Sequence, residues 1–261
     1  MHTNGKRAEK GEQGLTDLFN NTKPVTLFSA THLCFLALSA LFCSVMILFG
    51  RRLNDKKRHT LLVILWAVFT VIELGKYVYF VLYPDEFDIR TGLPLHLCSV
   101  SLFTYPLAVF TKNETFRNFI YAVNLPGAFF ALVTPDIGNS TAFSFYFLHL
   151  MVAHTFIVLI PLYMVLTGMF RPDTRRLPSV ALMLGLLMLP VTAVNRLLDS
   201  NYFFINGPVR GTLTQTFADW LGEEYYLLPM FAALLAVWGV LYLPFDLAAL
   251  SHHHKERIPS N

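Results

Sequence analysis

The chain has 261 residues, of which 54% are hydrophobic, 15% aromatic and only 14% charged, with a net charge of +3. A mean hydropathy of +0.50 excludes a soluble globular enzyme of ordinary composition and is the balance of a polytopic membrane protein. A Gly-rich phosphate loop, Cys-x-x-Cys, His-Glu-x-x-His and a basic groove interleaved with aromatics are all missing, so neither the common soluble-enzyme signatures nor a nucleic-acid partner is expected.

In chain order, residues 1–24 are polar and rich in Gly and Lys, a surface tail with a short interfacial turn expected at Asp17–Asn21. Seven apolar stretches then reach the roughly 20 residues that a crossing needs, at about 26–49, 60–83, 93–111, 116–134, 142–168, 178–200 and 224–250. The fold class is therefore all-α: a polytopic bundle of about seven transmembrane helices over residues 25–250, its short connections making neighbours antiparallel. The first stretch is full length and is not a cleavable signal peptide. Its Cys34 and Cys43 are separated by about 13 Å on one helix, so they read as packing residues rather than a disulfide. The fourth stretch is the weakest, because Asn124, Pro126 and Gly127 interrupt it. Pro106, Pro126, Pro161 and Pro190 are expected to kink or break the third to sixth helices and so make room for a cavity. The connection at 201–223 carries Asn201-Tyr202-Phe203-Phe204 and Trp220, which suits a headgroup-level segment acting as a lid. The tail at 251–261 contains His252, His253 and His254, read as a solvated end; no metal site and no organic cofactor are expected.

Basic residues divide unevenly between the two ends of such a bundle. One end takes Arg51, Arg52, Lys56, Lys57, Arg58, Lys112, Arg117, Arg171, Arg175, Arg176, Lys255 and Arg257, and the other only Lys6, Arg7, Lys10, Lys23, Arg90 and Arg210. The richer end belongs in the cytoplasm, which puts the N-terminus outside the cell membrane and the C-terminus inside.

Ionisable groups inside the apolar stretches are the main functional signal, because a charge in hydrocarbon costs at least a few kcal/mol. Counting 1.5 Å per residue from the outer end, Glu73 lies about 15 Å down, Lys76 about 10, His96 about 5 and Cys98 about 8. By the same count His149 lies about 10 Å down, His154 about 18, and Asn195 and Arg196 within about 8. One shared layer fed by four helices points to a water-reachable pocket. Each member also has a bland reading: Glu73 and Lys76 neutralise each other on one helix face, Cys98 packs, and Arg196 snorkels. A thiol near an imidazole becomes a nucleophile. His96 is about 200° around the helix from Cys98, so the two share a target only if the chain unwinds near Pro94. His149 matches Cys98 better by depth than His154 does, and this geometry leaves the choice open.

These motifs, taken in order, are Glu73-Leu-Gly-Lys76, Leu93-Pro-Leu-His96-Leu-Cys98, His154 with Pro161-Leu-Tyr163, and Asn195 with Asn201-Tyr202 and Pro208. With them the chain resembles the YwaF family of bacterial integral membrane proteins, related to eukaryotic transmembrane protein 164, over roughly residues 60–210. The resemblance implies seven helices. For the eukaryotic relatives it implies acyl transfer between phospholipids, with Cys98 in the position of the nucleophile and His154 as its partner. The supporting set is then Glu73, Lys76, His96, Asn124, His149, Asn195, Arg196, Asn201 and Tyr202. The expected activity is transfer or hydrolysis of fatty acyl esters of membrane lipids. A seven-helix transporter, channel or sensor with a Glu/His relay is the alternative, and an inert scaffold the third reading.

Overall fold

The computed structural model describes residues 23–136 and 138–256; the turn expected at Asp17–Asn21 and the side chains of His252–His254 lie outside the described residues. Seven helices are long and apolar enough to cross a membrane. Helix α1 is Ala30–Arg51 and α2 is Asp55–Leu82. The third span is broken into α3, Ile89–Gly92, and α4, Leu97–Phe110. The fourth is α5, Glu114–Phe119, a π turn at Ile120–Asn124, and α6, Leu125–Val133. Then follow α7, Phe145–Leu166, α8, Leu177–Leu198, a short α9, Leu213–Leu221, and α10, Leu227–Glu256. Side-chain caps open several of them: Ser29 accepts from the amide of His32, Asn54 from Lys57 and Ser144 from Phe147, as short polar residues do at helix starts.

Helix α7 is the hub and packs on α1, α2 and α6. Phe147, Met151, Ile157, Leu159, Ile160 and Tyr163 are buried on several of its faces, as expected of a helix that is apolar all round. The outer surface of the bundle is apolar as well: Val81, Leu197 and Val240 are 77%, 82% and 73% exposed, which only a lipid solvent makes favourable.

The fourth span is continuous, against the expected interruption at Asn124, Pro126 and Gly127. The amide of Leu125 reaches back to the carbonyl of Ile120 in the wider π turn. Pro126, lacking an N–H, frees the carbonyl of Ala122, and the Trp238 indole donates to it at 2.8 Å. In the same way Pro161 frees Ile157, whose carbonyl accepts the Tyr105 hydroxyl at 2.7 Å. Neighbouring helices thus supply the missing donors, and these prolines lie inside helices without ending them.

Seven antiparallel spans leave the connections 83–88, 134–144 and 199–226 at one end of the bundle, with the start of α1. The amide of Val25 bonds the carbonyl of Ser140 at 2.9 Å, and buried His32 bonds the carbonyl of Leu132 through Nε2 at 2.9 Å. The chain entering α1 is therefore laced to the 134–144 connection. The 201–223 connection carries local structure of its own. It contains a tight turn at Tyr202–Phe204 and the helix α9, which packs on α10 with Trp220 73% exposed.

Candidate functional site

A cleft of about 160 Å³ opens among α2, the start of α4, the 134–144 connection and α7. Its walls include Glu73, Lys76, His96, Cys98, Ser99, Asp136, Ser140, Tyr146, His149 and His154.

The broken third span positions the thiol. Residues 93–96 are non-helical and His96, with φ −67° and ψ 149°, is the extended residue before α4. Cys98 therefore sits in the first turn of a helix that begins inside the bundle. The first bond of that helix runs from the amide of Val100 to the carbonyl of His96 at 3.0 Å. The amides of Leu97, Cys98 and Ser99 precede it, and His96 provides no side-chain cap. Such a helix start offers free donors and positive potential. The unwinding also resolves the angular conflict anticipated for His96 and Cys98: both line the cleft.

Cys98 is half-buried and lines the same cleft as His154, near enough for the thiol and the imidazole to interact electrostatically. His154 Nδ1 lies 2.8 Å from the carbonyl of Leu150. A carbonyl only accepts, so Nδ1 carries the hydrogen and Nε2 is the basic nitrogen.

Beside this pair lies a buried carboxylate. Glu73 is 2% exposed. Its Oε1 accepts from Lys76 Nζ at 2.9 Å and from the Ser99 hydroxyl at 2.8 Å, and Lys76 also reaches Ser99 at 3.2 Å. Its Oε2 lies 3.3 Å from His149 Nε2. That nitrogen is buried with no aligned hydrogen bond, so the contact is an ion-pair approach rather than a bond. Phe145 stacks against the His149 ring at 5.7 Å. Depth had favoured His149 for Cys98; in the structure His149 turns to Glu73, and His154 is beside the thiol.

Other expected site residues sit outside the cleft. Asn195 is buried, but its amide donates to the carbonyl of Tyr202 at 2.9 Å and its Oδ1 accepts from Ser200 and from the amide of Tyr202. Arg196 is exposed on α8, where a long cation reaches the polar boundary. Asn201 closes its own turn onto Gly207 and Asn206. Tyr202 does connect to the site. Its hydroxyl donates to Ile89 at 2.6 Å and accepts from the amide of Leu93 at 3.0 Å, while its ring meets that of His96 at 4.8 Å. Burial raises the Tyr202 phenol pKa, keeping it a donor. Phe203 and Phe204 follow at φ 62° and 55°, a left-handed conformation costing roughly 1–3 kcal/mol per residue, and Phe204 also borders His96. Asn124 donates to the carbonyl of Leu97 and the hydroxyl of Ser101 from the π turn, so it holds the start of α4 from behind.

Sequence reasoning passed over Ser99, Asp136, Ser140 and Tyr146. Helical spacing carries a signal for Tyr146, three residues before His149 on one face. Nothing in the pattern placed the 134–144 connection over the cleft.

A family model described as the TMEM164 family matches residues 27–242. No curated protein and no solved structure matches the chain.

Proposed function

The chain belongs to the TMEM164 family, and from that premise we propose that it is a membrane enzyme transferring or hydrolysing fatty acyl esters of phospholipids through Cys98 and His154. The observation that carries the reading is the thiol in the first turn of α4 with the His154 imidazole lining the same cleft. His154 Nε2 takes the thiol proton and the thiolate attacks the ester carbonyl carbon. The amides at the start of α4 receive the oxyanion. The intermediate collapses as the carbon–oxygen bond breaks, and the imidazolium returns the proton to the departing lysolipid oxygen. The acyl group is left as a thioester on Cys98. A lysolipid hydroxyl or water then takes the acyl group and the thiol is restored. Membrane lipids are the substrates and no cofactor enters these steps. With the N-terminus outside, the cleft faces the outer leaflet of the cell membrane, and the 199–226 connection flanks it through Tyr202 and Phe204.

The test is single-turnover acylation of purified protein in lipid nanodiscs with phospholipid carrying a labelled acyl chain. A hydroxylamine-sensitive label on Cys98 is expected, lost in Cys98→Ala and slowed by about 10²-fold or more in His154→Ala, the usual weight of a general base. Full lipid turnover by Cys98→Ala defeats the assignment. The buried Glu73–His149 cluster favours the rival relay in a transporter or sensor, which predicts that Cys98→Ser keeps its activity.

A further inference from the structure

Three imidazoles line one cleft, and the steps above use only that of His154; of the other two, His96 has the rings of Tyr202 and Phe204 against it. His154 is oriented by a backbone carbonyl, whereas His149 faces a buried carboxylate whose other oxygen is already taken by Lys76 and Ser99. Lys76 balances the charge of Glu73, so Glu73 Oε2 is available to stabilise a proton arriving on His149. The two half-reactions differ in what they demand. A thiol, with a pKa of about 8.5, surrenders its proton to a plain imidazole. A hydroxyl is far less acidic, near the 15.7 of water, and needs a base whose cation is stabilised. Position agrees with this division. His149 is five residues nearer the 134–144 connection than His154 on α7, about 7.5 Å along the axis. It thus lies nearer than His154 to the connection that brings Asp136 and Ser140 to the cleft.

We propose that His149, held by Glu73, is the base that activates the acyl acceptor, a lysolipid hydroxyl or a water, for attack on the Cys98 thioester. The proposal rests on the acyl-enzyme reading above. With Nε2 toward Glu73, Nδ1 carries the lone pair and takes the acceptor proton as the acceptor oxygen bonds to the thioester carbon. The carbon–sulfur bond breaks, Cys98 leaves as a thiolate, and the proton passes from His149 to restore the thiol. His149 is the catalytic residue here and Glu73 the positioning residue.

His149→Gln is the first variant, because it leaves the Glu73–Lys76 pair and Ser99 in place; Glu73→Gln is the second. Labelled acyl phospholipid is added to protein in nanodiscs, and formation and discharge of the Cys98 thioester are followed separately with lysophospholipid as acceptor. The expected result is acylation within about threefold of the parent protein and discharge slowed by about 10²-fold or more, so that the acyl-enzyme accumulates. Hydroxylamine, which needs no general base, should still strip the thioester at the parent rate, an outcome a general structural defect would not give. Discharge of His149→Gln at the parent rate overturns the proposal, as does an equal loss of acylation and discharge. If the parent protein forms no thioester on Cys98, the underlying reading fails instead.

Discussion

At the scale of single residues, the site rests on side chains that stand outside the cleft. Tyr202 is the clearest: one hydroxyl joins Ile89, where α3 begins, to Leu93, where the break before α4 begins, and its ring edges His96. Tyr202→Phe strips a donor from the carbonyl of Ile89 and an acceptor from the amide of Leu93, and leaving such buried groups unmet costs about 1–3 kcal/mol. The expected outcome is a lower thermal midpoint in nanodiscs together with slower Cys98 acylation, because residues 93–96 set where α4 begins. An unchanged midpoint would show that water meets these groups instead. Asn195 behaves alike, fixing Tyr202 through both its amide and its carbonyl. The sequence signalled that Asn195 and Tyr202 matter, but it placed Asn195 among the residues supporting the site without saying what it holds. An intramembrane amide looks the same whether it meets substrate or a backbone seven residues away. The placing of Cys98, Glu73 and Lys76 in one cleft was legible because charge in hydrocarbon has few other uses.

At the scale of the elements, the way prolines are accommodated was hidden for a related reason. Local rules say that Pro126 and Pro161 remove a bond and break a helix, but they do not record that Trp238 and Tyr105 stand ready across the bundle. A double-mutant cycle tests this compensation. Tyr105→Phe alone leaves the carbonyl of Ile157 unpaired and should cost about 0.5–2 kcal/mol in a membrane setting. In a Pro161→Ala background the amide of residue 161 returns to Ile157, so the same change should become nearly neutral. Unfolding curves of the four proteins give the coupling directly, and additive losses would mean that Tyr105 acts by packing alone. Close approach constrains other helices: a methyl on Gly50 would collide with the ring of Tyr163, which is fully buried and donates to the carbonyl of Arg58. Gly50→Ala should therefore destabilise by about 1–3 kcal/mol despite its better helix propensity, read as a drop in thermal midpoint.

At the scale of the whole molecule, the count of the spans was legible, since length and apolarity decide it. The basic excess at one end turns out to have a structural use as well. Arg58 donates to the carbonyls of Gly50 and Arg51, Arg51 to Leu166, Arg117 to Ala108 and Arg171 to Phe245. Each guanidinium meets carbonyls near the C-terminal end of an odd-numbered span or, for Phe245, within its last turns, where free acceptors and negative potential gather. One set of cations thus closes these helices, and by the positive-inside rule the same set is expected to hold that end in the cytoplasm. Cysteine accessibility tests the second role. In a background with Cys34, Cys43 and Cys98 changed to Ala, Asn139→Cys in the connection over the cleft should react with an impermeant maleimide on intact cells. Lys57→Cys, beside the arginine cluster, should react only after permeabilisation. The reverse pattern would invert the chain and turn the cleft toward the inner leaflet, so that a lysolipid acceptor would have to arrive from the cytoplasmic side.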